Sequence, residues 1–493
     1  MGPSTESDQY QYGDGRTGTE GMNYNWSDVI HGDRWKSPET LWIENGTEYS
    51  WKRVDELAQS IEEVIGSQDE VRVVLVRSPS KLGCFAGQLA SWRAGCVAVA
   101  DDGGLGQSEL EHVRPDLIVS VDGDRPTGVA CETHAAERFP RSRLPDEIVA
   151  VNFTSGSTGS RKAVGVTRGN LQALFRCRDL EVPTSGRLVS GSFATPTYDG
   201  WWFDTWKAVA AEGAVVCMPN VNEDVFDWPE LSKKYGIDRM LLPAAVLATV
   251  VESLPGCISD VPWLYSGGER FRVSTYQQAR RARLTNQFIN LYGPAEATFA
   301  THKYELSDDI TTGPIPIGKP LEGCKQRLAD PGDRADGCHE LLIDGPLVCL
   351  GYIEHGSLST RFSADDGEAS FRTGDVVQVD NDGSLVFAGR LDSQIKVNGM
   401  RVNSAALERD VVVLPEVSDC RVVQNEKHTF AFVRVDQEQL IDFSVRMRIE
   451  SVVKQFSNAV KVELVDRFPV KPSGKIDTTA LMSARFAKNE EQE

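Results

Sequence analysis

No Cys-x-x-Cys pair, no Cys/His grouping at zinc spacing, no basic stripe and no apolar run of membrane-spanning length occurs in this 493-residue sequence. The ten cysteines stand singly, which predicts small buried thiols in a reducing compartment and argues against disulfide or metal roles for them. Lys and Arg number 52 against 72 Asp and Glu, a net charge of −20 spread along the chain. Such a surface has no stripe of cations to displace counterions from a nucleic acid, and it is repelled by anionic lipid. Nucleic-acid and membrane partners are therefore excluded. Residues 1–22 are polar and rich in Gly, Asp, Ser and Thr, without the apolar core of a signal peptide, so a disordered leader on a cytoplasmic protein is expected.

What is present is alternation. Val54, Leu57, Ala58 and Ile61 fall at helical spacing, Lys81–Arg93 reads as a second helix, and apolar runs at 71–76, 96–100, 117–121 and 148–151 read as strands. Strands alternating with helices predict parallel α/β layering, and the length requires more than one domain. Further strands at 261–266 and 287–291 each run into glycine, at Gly267-Gly268-Glu269 and at Tyr292-Gly293-Pro294-Ala295-Glu296. Loops at the ends of parallel strands are where α/β proteins bind ligands. From about residue 315 the texture changes to short strands with turn residues, including a hairpin turn at Asn381-Asp382-Gly383-Ser384. A domain boundary is expected near Asp392. It separates a core of residues 23–391 from a small α+β domain, 392–493.

The buried strand at 148–151 leads into Thr154-Ser155-Gly156-Ser157-Thr158-Gly159-Ser160-Arg161-Lys162. Exposed main-chain N–H groups, hydroxyl donors and a terminal cation make a polyphosphate cradle. The Walker spacing G-x-x-x-x-G-K-[ST] is absent. Read alone, a Ser/Gly linker is the lesser alternative for the stretch.

The loops, taken in order, resemble the acyl- and aryl-adenylate-forming ligases, and within them the adenylation domains of nonribosomal peptide synthetases. Thr154–Lys162 is similar to their phosphate loop, Asn290–Glu296 to N-x-Y-G-P-T-E, and Phe371-Arg372-Thr373-Gly374-Asp375 to Y-R-T-G-D. Gly389–Arg401 and Pro472-Ser473-Gly474-Lys475-Ile476-Asp477 resemble the two motifs of the C-terminal domain. The resemblance implies a large layered N-terminal domain and a small mobile one joined at a hinge, Asp392. It implies ATP and Mg²⁺ as cofactors. Thr154, Ser155, Gly156, Ser157, Thr158, Gly159 and Lys162 would hold phosphates, and Glu296 would be the magnesium carboxylate. Tyr292 would meet adenine, Asp375 and Arg390 the ribose, with Gly267, Gly268, Glu269, Asn290 and Gly293 around the nucleotide. Lys475 would act in adenylation, alongside Lys162 and Glu296. Several positions depart from the family pattern: Arg161, Ala163, Arg168, Ala295 and Asn403. Ala295 lacks a hydroxyl that could touch the adenylate, but no required charge is missing.

Thr197-Tyr198-Asp199-Gly200-Trp201-Trp202-Phe203-Asp204 resembles the segment whose aspartate binds an α-ammonium group. A carboxylate among aromatic residues is costly unless it meets a cation; Asp199 could also cap the helix beginning at Gly200. The other implied walls, Gly200, Phe203, Tyr265, Gly267, Leu291, Phe299 and Ala300, add no second charge. An uncharged free α-amino acid is therefore expected. Only 18 residues follow Lys475, which suggests a stand-alone enzyme passing its aminoacyl group to the phosphopantetheine thiol of a separate carrier protein. An acyl-CoA synthetase, an adenylate-dependent amide ligase and a non-enzymatic paralogue are the alternatives.

Overall fold

The computed structural model describes residues 25–490 except 69, 123–128, 133–142, 155–160, 185, 221–223, 309, 311–312, 332–336, 364–366, 392–393, 398–399, 426–427, 436–442 and 470–475. The expected leader lies outside these residues.

Two large sheets form the body. The first orders its nine strands as Lys319–Pro320, His302–Glu305, Gln287–Tyr292, Trp263–Gly267, Arg239–Pro243, Val189–Ser192, Ala214–Cys217, Thr40–Glu44 and Thr47–Ser50. The middle six are parallel. The second runs Ser357–Arg361, Gly351–Glu354, Ala163–Thr167, Ile148–Phe153, Val97–Asp101, Val73–Arg77, Leu117–Val121 and Val129–Glu132. Its parallel centre is Ile148–Phe153 through Leu117–Val121. Val97–Asp101 is buried throughout, as a parallel strand covered on both faces must be.

Helix Lys81–Arg93 is buried at every position from Leu82 to Trp92 and touches strands of both sheets. An all-round buried helix belongs between layers, not on a surface. Helix Trp51–Gly66 instead buries one stripe, Val54, Leu57, Ala58 and Ile61, as its periodicity predicts, and Ser50 caps it by accepting from Arg53 N–H at 3.1 Å. Side chains alternate along the strands. On Arg239–Pro243, Leu241 faces the layer between the sheets, while Met240 and Leu242 face the helices outside.

A four-stranded antiparallel sheet follows, Lys325–Ala329, Cys338–Asp344, Ser370–Val379 and Leu385–Arg390. The C-terminal unit pairs Val417–Gln424 antiparallel to Thr429–Val435, and that strand parallel to Val460–Val465. Helices Ser404–Val412 and Phe443–Phe456 close its separate core around Leu407, Ala431, Val433 and Ile449. The unit meets the body through Arg272 with Asp419 and through Arg434 with Glu252 at 2.7 Å. The expected mixed α/β class, a large layered body with a small α+β unit, is borne out.

Candidate active site

The expected phosphate loop joins two antiparallel neighbours, Ile148–Phe153 and Ala163–Thr167. Its neck is closed twice: Thr154 N–H donates to Lys162 O at 2.9 Å and Lys162 N–H to Thr154 Oγ1 at 3.2 Å. Ser155, Gly156, Ser157, Thr158 and Gly159 lie outside the described residues. Lys162 is exposed, with Nζ 4.6 Å from the centre of the Tyr352 ring. The Tyr352 hydroxyl donates to Glu296 Oε1 at 2.6 Å. Burial, then the Glu296 charge, pushes that phenol well above its ordinary value, so it remains a donor.

A second tyrosine–carboxylate pair lies at the C-terminal end of strand Gln287–Tyr292. The Tyr292 hydroxyl donates to Asp375 Oδ2 at 2.5 Å, and Arg390 Nη1 to Asp375 Oδ1 at 2.8 Å. Asp375 and Arg390 face each other in register across their hairpin. Gly374 permits this with φ +68°; a Cβ there would stand 3.2 Å from Arg390 Nη2. Tyr292 is thus held by its hydroxyl as well as offering its face. Asn290 is structural in this state, its amide donating to Pro316 O at 2.8 Å.

The expected acid-pocket walls pack against one another. Phe203 packs edge-on against Tyr265 at 4.9 Å and stacks on Phe299 at 5.3 Å. A Cβ on Gly200 would meet Leu241 at 3.0 Å, and one on Gly267 would meet Leu291 O at 2.8 Å. Leu291 and Ala300 are buried in the same core. Asp199 is half-buried. The thiol of Cys349 is pushed up to about 12 by burial, with Glu296 and then Asp199 adding to the rise, so both carboxylates lie within electrostatic reach of it. Gly268 is left-handed with open space above it, and Glu269 Oε1 accepts from Ile476 N–H at 3.3 Å. That contact brings the residue after Lys475 to the glycine loop. Lys475 itself and Asp392 lie outside the described residues.

Four further residues bear on the site without an expected role. Arg239 is 1 % exposed and stands 4.2 Å over the Phe203 ring, donating to Phe203 O and Leu180 O. The pocket wall with no charge of its own is thus backed by a cation. Asp204, within a π-helical turn Trp202–Trp206, accepts from Phe193 N–H at 2.9 Å and Ala194 N–H at 2.8 Å, fixing the chain that leads to Asp199. Burial raises its carboxyl to about 6. Thr298 adopts φ 68°, ψ −55° between Glu296 and the Phe299 wall. Tyr352 is the fourth. An acidic residue five positions beyond Asp199 was the only available signal, for Asp204.

Residues 113–353 match the AMP-binding enzyme family. The probable noncanonical nonribosomal peptide synthetase CymA of Salinispora arenicola is 30 % identical over 468 residues, 86 % of this chain and 6 % of that protein. The chain thus carries an AMP-binding enzyme domain over residues 113–353. Another relative, the L-allo-isoleucine:holo-[CmaA peptidyl-carrier protein] ligase of Pseudomonas savastanoi pv. glycinea, is 27 % identical over 394 residues, 75 % of this chain and 64 % of its own. The chain spans about a twentieth of the length of the large synthetases it matches. In fold it is similar to Klebsiella oxytoca NpsA, solved with 3-hydroxyanthranilyl-AMSN: TM-score 0.75, 16 % identity, 93 % of this chain and 99 % of that one.

An AMP-binding role suits the residues present. A Cβ on Gly293 would stand 2.2 Å from Phe299 O, so only glycine lets the chain turn beside Tyr292. Among the described residues no three His, Cys, Asp or Glu side chains converge as a metal cage. Glu296 offers a hard oxygen that bonds Tyr352, whose ring meets Lys162. That suits magnesium, which is held by one or two carboxylates plus phosphate oxygens and water.

Proposed function

We propose that this chain uses ATP and Mg²⁺ to activate an uncharged α-amino acid as aminoacyl-AMP. It then passes the aminoacyl group to the phosphopantetheine thiol of a separate carrier protein. What supports the reading is two carboxylates each bonded by a tyrosine hydroxyl, Glu296 by Tyr352 and Asp375 by Tyr292, together with the mutual packing of the expected wall residues Phe203, Tyr265 and Phe299.

In this reading a carboxylate oxygen of the amino acid attacks the α-phosphorus, pyrophosphate leaves, and a mixed anhydride forms. Asp199 holds the α-ammonium and aims the carboxylate. Phe203, Tyr265, Leu291, Phe299 and Ala300 shape the side-chain pocket, with Gly200 and Gly267 giving it depth. Asp375 and Arg390 fix the ribose, and the face of Tyr292 bounds the adenine. Glu296 would hold magnesium, which would supply charge neutralisation on the phosphates. Thr154, Ser155, Ser157, Thr158 and Lys162 hold the β- and γ-phosphates. Lys475 balances charge on the attacking carboxylate from a small domain, 392–493, that turns at Asp392 between the two half-reactions.

Trapping with hydroxylamine across amino, aryl and fatty acids tests this. ATP-dependent hydroxamate is expected with one or more uncharged α-amino acids. Hydroxamate from aryl or fatty acids alone would replace the reading with an acyl- or aryl-CoA ligase.

A further inference from the structure

Tyr352 separates two opposite charges. Its strand, Gly351–Glu354, pairs antiparallel with Ala163–Thr167, Tyr352 opposite Val164, so its ring lies beside the base of the phosphate loop. On its other edge the strand packs closely on Ser357–Arg361, where a Cβ on Gly351 would stand 1.7 Å from Thr360 O. Phe362 meets the ring perpendicularly at 4.8 Å and holds its plane. On one side Lys162 Nζ rests over the ring at 4.6 Å; on the other the hydroxyl grips Glu296 Oε1 at 2.6 Å. The backbone fixes the same neighbours, with Cys349 N–H donating to Glu296 O at 2.9 Å.

A lysine and a glutamate this near, at a partly exposed site, would pair with each other if nothing stood between them. Such a pair would use up the cation meant for phosphate oxygens and the carboxylate meant for a divalent ion. The tyrosine engages both without neutralising either. Its face attracts the ammonium by the ring quadrupole. Its hydroxyl takes a single carboxylate oxygen and leaves Oε2 uncommitted among the described residues.

We propose that Tyr352 is a positioning residue that keeps Lys162 and Glu296 apart, aiming the cation at phosphate and the carboxylate at the magnesium ion. This rests on the ATP-binding reading above.

Calorimetric ATP binding to the full chain, with and without Mg²⁺ and with no acid present, tests it. Tyr352→Phe keeps the ring and loses the hydroxyl. Its metal-free ATP affinity should stay at the wild-type value, while the Mg²⁺ concentration needed for half the metal-dependent gain rises about tenfold, the usual effect of removing a partner of a metal ligand. Tyr352→Leu removes both contacts, and metal-free ATP affinity should fall about fivefold, the worth of a partly exposed ion pair. Adding Glu296→Gln to Tyr352→Leu should restore it, because the competing carboxylate charge is gone. An unchanged Mg²⁺ requirement in Tyr352→Phe, or no recovery in the double variant, would overturn the proposal. Wild-type protein that binds no ATP would instead overturn the reading it rests on.

Discussion

Thr298 sits in a conformation that β-branched residues avoid, φ 68° and ψ −55°, closed by Phe299 N–H donating to Ala297 O at 2.8 Å. Such a turn stores roughly 1–3 kcal/mol and persists only where its surroundings over-determine it. Here the Thr298 hydroxyl, fully buried, donates to Leu347 O at 2.6 Å. The turn reverses the chain between Glu296 and the Phe299–Ala300 wall, so it couples the proposed metal carboxylate to the acid pocket. Thr298→Val keeps the shape and leaves that carbonyl unpaired. Urea unfolding should read a loss of about 1–3 kcal/mol, together with a broader acid range in hydroxamate trapping. Unchanged stability and selectivity would mean that the hydroxyl does not maintain the turn. Residues whose chemistry resides in a local string, such as Asp375 and Glu296, were legible in the sequence. Arg239 and Tyr352 were not, because each acquires its partner only when distant strands pair and side chains alternate across them.

Helices and buried strands were legible as elements for a simple reason: burial on one stripe or on both faces leaves a periodic or continuous apolar record. Thr47–Ser50 escaped because it is a polar edge strand, half exposed. The π-helical turn at Trp202–Trp206 escaped because one extra residue per turn has no compositional mark. Links between sheets are equally silent. His302 joins strand His302–Glu305 to strand Lys325–Ala329, its Nε2 donating to Gln326 Oε1 at 2.8 Å, and its ring packs on Tyr292. Burial lowers its pKa from 6.5 to about 4. The folded protein thus keeps it neutral while the unfolded chain takes up a proton below pH 6.5. Stability is therefore full above that pH and is lost as pH falls towards 4, by roughly 1–3 kcal/mol for such a shift. In denaturant titrations at pH 7 and pH 4.5, His302→Gln should show a loss smaller by that amount. Equal losses in both proteins would place the acid sensitivity elsewhere.

At the scale of the whole molecule, two contacts bring the C-terminal unit to the loop after Gly268, Ile476 with Glu269 and Asp419 with Arg272, and a third joins Arg434 to Glu252 on helix Ala244–Ser253. The order of motifs made the two-part architecture legible, whereas the seating of one part on the other depends on dispersed surface charges that no motif contains. Among the described residues no helix is long and apolar enough to cross a membrane, and no cysteine is in a disulfide. The account turns on the class of acid, and thus on Asp199. ATP–pyrophosphate exchange with an uncharged α-amino acid and with the same acid lacking its amino group tests it most directly. The wild type should exchange with the amino acid and far less with its des-amino counterpart. Asp199→Ala should lose amino acid exchange by on the order of 10²-fold, since the ammonium is left buried and unpaired. Exchange supported by aryl or fatty acids and by no amino acid would contradict the account.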